Sequence, residues 1–420
     1  MLATALAVEA LDELVDGTKG AAFPLIRADV HLDYTQVGLL IAVPLLVGSL
    51  VELPLGLVAG YGRRRNRLVL AGGIAVAGSL AMTAFAHSFL VLLLALVAFF
   101  PASGAFVTLT QAALMDAEPG KHQQHMAAWN LAGSAGAVAG PLLLAGVLVG
   151  GGTWRTAYLL VAAAALGTTA VAAFGGPARP QARAGGCGGS PTRASTVSSP
   201  GGTDEAGQDE EEDRRPTLRE ALAAVHDKRV ARWLILLQVI DLLLDVLTGY
   251  IGIYLVDVAH ASPALAAVGV AIRLAAGLAG DAIWVAASRR LSGPTALVAS
   301  AAAACALYPA FLLLPWLGVK LAVLATLSVA TACWYPVAQA ELYGSLPGRS
   351  GIAVFWSSAA GMAGAAGPLL VGLIAQRFGL SIALAGLTIT PVAVLVILPR
   401  GGSPNGARQR AQPPGSDRAA

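Results

Sequence analysis

The sequence predicts an all-α membrane protein of about 12 transmembrane helices, arranged as two parallel six-helix pseudo-repeats. Three observations predict it. The chain of 420 residues is 56% hydrophobic and only 12% charged, with a mean hydropathy of +0.70, whereas a soluble domain carries roughly 25% charged residues. Apolar runs long enough to cross a bilayer, about 20 residues each, recur along nearly the whole chain between short polar or Gly/Pro breaks. Finally, the second half repeats features of the first in the same order.

In chain order, spans are expected near 2–27, 35–60, 67–86, 89–115, 126–150 and 153–175, then 231–256, 263–287, 294–316, 319–343, 351–376 and 379–399. The resulting division is an N-terminal six-helix half over 1–175, a linker over 176–230, a C-terminal half over 231–399 and a disordered tail over 400–420. The linker is rich in Gly, Ser, Pro and charge, a composition that neither inserts nor packs. Thr217-Leu218-Arg219-Glu220 has capping-box spacing and starts a short surface helix before the seventh span.

Orientation follows from Lys and Arg. With the N-terminus cytoplasmic, the inner side collects Arg63, Arg64, Arg65, Arg67, Lys121, the linker cluster, Arg289, Arg290, Arg349 and the tail arginines, against Arg27, Arg155, Lys320 and Arg377 outside. Both termini are therefore expected in the cytoplasm. The first stretch lacks a basic start and carries Glu9, Asp12, Glu13 and Asp16, which speaks against a cleaved signal peptide. High Ala, Gly and Arg fits a GC-rich bacterium, so the expected location is the cytoplasmic membrane.

The repeat is visible in particular residues. Gln111-Ala112-Ala113-Leu114, Pro119-Gly120, Trp129 and Gly140-Pro141-Leu142-Leu143 are matched by Gln339-Ala340-Glu341-Leu342, Pro347-Gly348, Trp356 and Gly367-Pro368-Leu369-Leu370. Asp12/Asp16 and Asp241/Asp245 also recur, one pair near the start of each half. Six crossings return the chain to the same side, so the halves are related by an axis along the membrane normal with a cavity between them.

Two motifs carry a family resemblance. The loop after the second span reads Gly56-Leu57-Val58-Ala59-Gly60-Tyr61-Gly62-Arg63-Arg64-Arg65, and the fifth span contains Gly133, Gly136 and Gly140-Pro141. With two six-helix halves and a long linker, the chain resembles the major facilitator superfamily over nearly its whole length. The loop is similar to the family's Gly-x-x-x-Asp-Arg-x-Gly-Arg-Arg signature, with Gly60 in place of the Asp. The resemblance implies a gating loop at Gly56, Arg63, Arg64 and Arg65 that lacks the acidic latch residue. It also places the first and seventh helices along the central cavity. The fifth-span glycines resemble a pattern frequent among family antiporters, although small residues equally serve close helix packing.

Buried charge points to the mechanism. Glu9, Asp12, Glu13 and Asp16 fall within an arc of about 100° on a helix, and a carboxylate at the bilayer centre costs roughly 2.5–3.5 kcal/mol. Such a face must look into water, a partner or a protonated state. The seventh span repeats the design with Gln238, Asp241, Asp245 and Thr248. Lys19 is spaced to pair with Asp16, and Arg273 lies in the middle of the eighth span. The expected cavity residues are therefore Asp12, Glu13, Asp16, Lys19, Asp241, Asp245, Arg273, Gln111 and Gln339. Asp16, Asp241 and Asp245 come first as proton carriers, and Arg273 as their charge partner. Trp129 and Trp356 are expected as interfacial anchors, and Glu52 and Asp281 as helix-end or structural polar groups.

The function expected is secondary active transport of a small organic molecule, cationic or amphipathic, by proton-coupled efflux. Proton-coupled or facilitated uptake of a metabolite is the alternative, and a non-transporting membrane sensor a weaker one. No nucleophile with its base, metal cluster or nucleotide-binding loop is recognisable, so neither an enzyme nor a cofactor is expected. The three cysteines have no disulfide or metal spacing, the basic residues of this +3 chain are loop residues rather than a nucleic-acid surface, and a monomer is expected.

Overall fold

The computed structural model describes residues 2–58, 63–117, 122–174, 226–345, 356, 362 and 364–398. Nearly all of them are helical. The N-terminal half holds α1 (Leu2–Val30), α2 (Tyr34–Val58), α3 (Arg63–Ala84), α4 (Phe89–Ala117), α5 (His122–Val149) and α6 (Trp154–Phe174). The second half holds α7 (Lys228–Asp257), α8 (Pro263–Ala287), α9 (Gly293–Leu313), α10 (Leu317–Thr331) and α11 (Trp334–Gly344), then α12 (Ala366–Phe378), α13 (Leu380–Gly386) and α14 (Ile389–Ile397). Among the described residues, ten stretches are long and apolar enough to cross a membrane, with α10 and α11 forming one and α13 and α14 another. The motif Thr217–Glu220 and the tail lie outside the described residues.

The two split spans have one cause. Proline has no N–H to donate to the carbonyl four residues earlier, and its ring collides with that carbonyl. Pro336 stands four residues after Ala332, where α10 gives way to α11, and Pro391 four after Leu387, between α13 and α14. Starts are marked as plainly. Ser262 caps α8 by accepting the Leu265 N–H, Ser292 caps α9 by accepting that of Thr295, and each is followed by a proline in the first turn.

Helix pairing shows the repeat in three dimensions. In the first half α3 packs on α4 and α6, and α2 on α4; in the second, α9 packs on α10 and α14, and α8 on α10. Between halves, α2 meets α12 and α5 meets α8, a pair of interfaces that exchange under the repeat, while α1 meets α7 on the axis. Short connections alternate the helix directions, which defines a proximal face, where α1, α5 and α7 begin, and a distal face, where they end.

The most extensive helix interface is α1 with α5, and glycine makes it. A Cβ at Gly136 would strike the Ala10 carbonyl oxygen, one at Gly140 that of Leu14, and one at Gly17 that of Ala137. Backbone touches backbone here, the close approach that small residues allow in membrane helices. Gly133, Gly136 and Gly140 thus have a packing role that accounts for their spacing.

This contact yields a stability prediction. Gly136→Ala should destabilise the purified protein by about 1–3 kcal/mol through overpacking, seen as a lower melting temperature. Gly146→Ala on the same helix, where a Cβ meets only open space, should be neutral or slightly stabilising, since alanine is favoured in helices by about 1 kcal/mol over glycine. Equal effects at both positions would refute this account of the interface.

Candidate functional site

A cavity of about 540 Å³ lies between the halves in the proximal part of the bundle, within the usual range for small-molecule sites of about 300–1,000 Å³. One wall belongs to the first half: Glu9 and Glu13 of α1, with Asn130, Gly133, Ser134 and Ala137 of α5. The facing wall is apolar for most of its extent, with Leu243, Leu244 and Leu247 of α7 and Leu274 and Leu278 of α8. Arg273 and Asp281 stand in that wall, and Tyr335 and Pro336 contribute where α11 begins.

The α5 glycines also make room for the acids. A Cβ at Gly133 would lie 2.7 Å from Glu9 Oε1 and 3.2 Å from Glu13 Cγ. Glu9 is 9% exposed and accepts a hydrogen bond from the Trp129 side chain. Opposite, the Arg273 guanidinium donates to the Leu244 carbonyl at 3.1 Å, and the Thr248 hydroxyl donates to the same oxygen at 2.6 Å. A cationic group of α8 is thereby held against the α7 backbone, one residue before Asp245.

The expected site residues separate into groups. Glu13 and Arg273 line the cavity together, joined by Glu9 and Asp281. Asp12, Asp16 and Lys19 do not line it. Asp12 accepts from the Ser103 hydroxyl on α4, Asp16 forms an ion pair with Lys19 as their spacing suggests, and the Lys19 ammonium lies 5.1 Å from the centroid of the Phe100 ring, also on α4. Half-buried Asp241, Gln111 and Gln339 are on α7, α4 and α11 and are not among the lining residues. The side chains of Asp245, Arg63 and Arg64 lie outside the described residues, as do Glu52 and everything at Gly56 beyond its place in α2; Arg65 is half-buried at the start of α3.

Three side chains depart from expectation. Trp129 is not an interfacial anchor: it is 3% exposed, packed with Ala5 and Leu114. Asp281 is a cavity residue. Lys320 is not a loop residue but is buried in α10, 5% exposed. Its ammonium donates to the Phe311 and Leu312 carbonyls at 2.8 and 2.9 Å and to the Tyr254 hydroxyl at 2.8 Å. Carbonyls in the last turn of a helix lack intrahelical partners, so Lys320 closes the end of α9 and fastens it to α7. Its position just after Trp316 and before an apolar run concealed this, because a lysine there reads equally well as a surface anchor.

Comparison with known proteins fits this architecture. The profile of the Major Facilitator Superfamily matches residues 10–353. The chain belongs to the Major Facilitator Superfamily. Among solved structures, this superfamily member is similar to a bacterial homologue of the human lysosomal transporter Spinster, in an inward-facing and unoccupied conformation, at 17% identity and a TM-score of 0.68 over 94% of each chain. It is also similar to the nucleoside transporter NupG, at 11% identity and a TM-score of 0.69 over 95% of this chain and 100% of that one. No curated protein matches the sequence.

The Lys320 contacts generate a test within the superfamily fold. Lys320→Met strips the donor from buried carbonyls and should cost about 1–3 kcal/mol, measured as reduced thermal stability in detergent. An unchanged melting curve would show that the ammonium contributes nothing there.

Proposed function

We propose that this superfamily member is a secondary active transporter that exports a small cationic or amphipathic organic molecule in exchange for protons. The observation that carries the reading is the cavity between the halves, with two carboxylates one helical turn apart on one wall and leucines on the other. A carboxylate wall recognises positive charge, and the leucine wall accepts an apolar body. Glu9 and Glu13 are the α1 carboxylates that line the cavity, so each is best placed to exchange a proton with a cationic substrate. Asp12 and Asp16 on α1, and Asp241 and Asp245 on α7, complete the set of carboxylates proposed to take part, with Arg273 as their cationic counterweight.

In this reading residues 1–175 and 231–399 rock as two bodies joined by the 176–230 linker, in a monomer embedded in the cytoplasmic membrane with both termini inside. The proximal cavity then faces the cytoplasm. The solved Spinster homologue, itself inward-facing, supports that assignment by likeness of fold.

The test uses the purified full-length protein in proteoliposomes with tetraphenylphosphonium as a lipophilic monocation. An imposed pH gradient should drive its movement, and Glu13→Gln should lower that flux by about tenfold or more, equivalent to about 1.4 kcal/mol. Accumulation that survives collapse of the gradient would replace antiport by uniport. Intact coupling in every single amide variant of these six acids would remove the carboxylates from the mechanism.

A further inference from the structure

On the second half's wall of the cavity, a helix breaks within its span beside a carboxylate. α10 ends at Thr331 and α11 begins at Trp334, inside one membrane-length stretch. Ser328, Thr331 and Ala332 line the cavity there, together with Pro336 and with Asp281 of α8. The break deprives a carbonyl oxygen of its normal donor: Pro336 has no N–H, so the Ala332 carbonyl lacks the bond from four residues on. α8 is pressed against this place, since a Cβ at Gly280 would lie 2.9 Å from the Val329 carbonyl oxygen and 2.7 Å from Ala332 Cβ. Asp281 is the next residue in the chain.

We propose that the break is a binding site for a monovalent metal cation, held by the Asp281 carboxylate, the Ser328 and Thr331 hydroxyls and the Ala332 carbonyl. The inference goes beyond proton-coupled export: it rests on the cavity and the broken helix, not on which gradient drives transport. Both hydroxyls are oriented for the task. Ser328 donates to the Leu324 carbonyl at 2.9 Å and Thr331 to that of Leu327 at 3.0 Å. With their hydrogens committed to the backbone, the two oxygens offer only lone pairs to anything in the cavity. Neutral oxygens with a carboxylate form a hard-ligand set, and a single carboxylate offsets the charge of a monovalent ion rather than a divalent one.

Charge and rigidity point the same way. Among the described residues Asp281 has no ion-pair partner, and an unpaired carboxylate within a span calls for a counterion. The terminal carbonyls of α10 add partial negative charge at the break, the device by which discontinuous membrane helices coordinate ions. The break is also fastened from behind. Trp334, fully buried, donates from Nε1 to the Ser300 hydroxyl of α9 at 2.8 Å, and the Cys333 thiol lies 3.6 Å from the same oxygen. A backbone held in this way loses little freedom when an ion binds, which favours affinity.

The test is equilibrium binding of radiolabelled sodium to the purified full-length protein in detergent, at an ionic strength kept constant with N-methylglucamine chloride. Sodium should bind saturably and should raise the melting temperature relative to N-methylglucamine. Asp281→Asn removes the charge, and Pro336→Ala returns an N–H that can occupy the Ala332 carbonyl. Each should weaken sodium binding by about tenfold or more. In N-methylglucamine alone neither variant should melt below the parent, since one loses an unpaired charge and the other regains a helical hydrogen bond. Lost binding would then not be lost folding. No saturable sodium binding by the parent, or parental affinity in either variant, would overturn the site. The measurement uses neither a proton gradient nor an organic substrate, so its failure and the failure of proton-coupled export are told apart.

Discussion

The arrangement of this protein depends on one constraint: ionised groups cannot rest against hydrocarbon. A carboxylate in mid-bilayer costs roughly 2.5–3.5 kcal/mol even by lenient scales, and α1 carries four acids and a lysine between Glu9 and Lys19. That composition keeps α1 out of the set of stretches apolar enough to span on their own. It can sit in the bundle only if other helices surround it, and α4, α5, α6, α7 and α8 all pack against it. The acids then find polar neighbours on two sides, Ser103 of α4 for Asp12 and the Trp129 side chain with the cavity for Glu9.

Surrounding a helix so closely demands small residues, and here packing and chemistry meet. The stripe Gly133, Gly136, Gly140 on α5 brings two backbones into contact at its distal members and, at Gly133, leaves space that the glutamates occupy. A larger side chain at that position would push Glu9 and Glu13 away from the wall they form. The second half does not copy this solution. A Cβ at Gly367 would meet the side chain of Leu242 on α7 rather than a backbone carbonyl, so the α7–α12 contact is made by side chains. The halves share a helix arrangement but differ in how their central helix is seated.

The fold was legible because membrane insertion writes itself into long apolar runs, and the recurring Gln, Trp and Gly-Pro positions disclosed the repeat without any structure. Boundaries were less so. Pro336 and Pro391 could have been read as breaks four residues upstream, whereas Pro24, Pro101, Pro141 and Pro309 lie within continuous helices, so proline alone does not decide. The site was only half legible. An acidic arc of about 100° on α1 establishes that the face is polar but not which neighbour covers each edge, and Glu13 in the cavity and Asp12 against α4 stand at its two opposite edges, about 100° apart. Lys320 was hidden for a related reason: its partners are backbone carbonyls of α9, and carbonyls leave no mark in a sequence.

The polar chemistry breaks the symmetry that the helices keep. The first half brings the carboxylates of Glu9 and Glu13 to the cavity, while the second brings mostly leucines with one guanidinium, Arg273, and one carboxylate, Asp281; at the distal rim cationic Arg27 comes from the first half and anionic Asp257 from the second. Two identical halves could not do this, because a two-fold axis would set like charge against like along α1 and α7. The two ends of the inter-half interface therefore differ, an ion pair joining the halves at the distal rim and a cavity separating them in the proximal part.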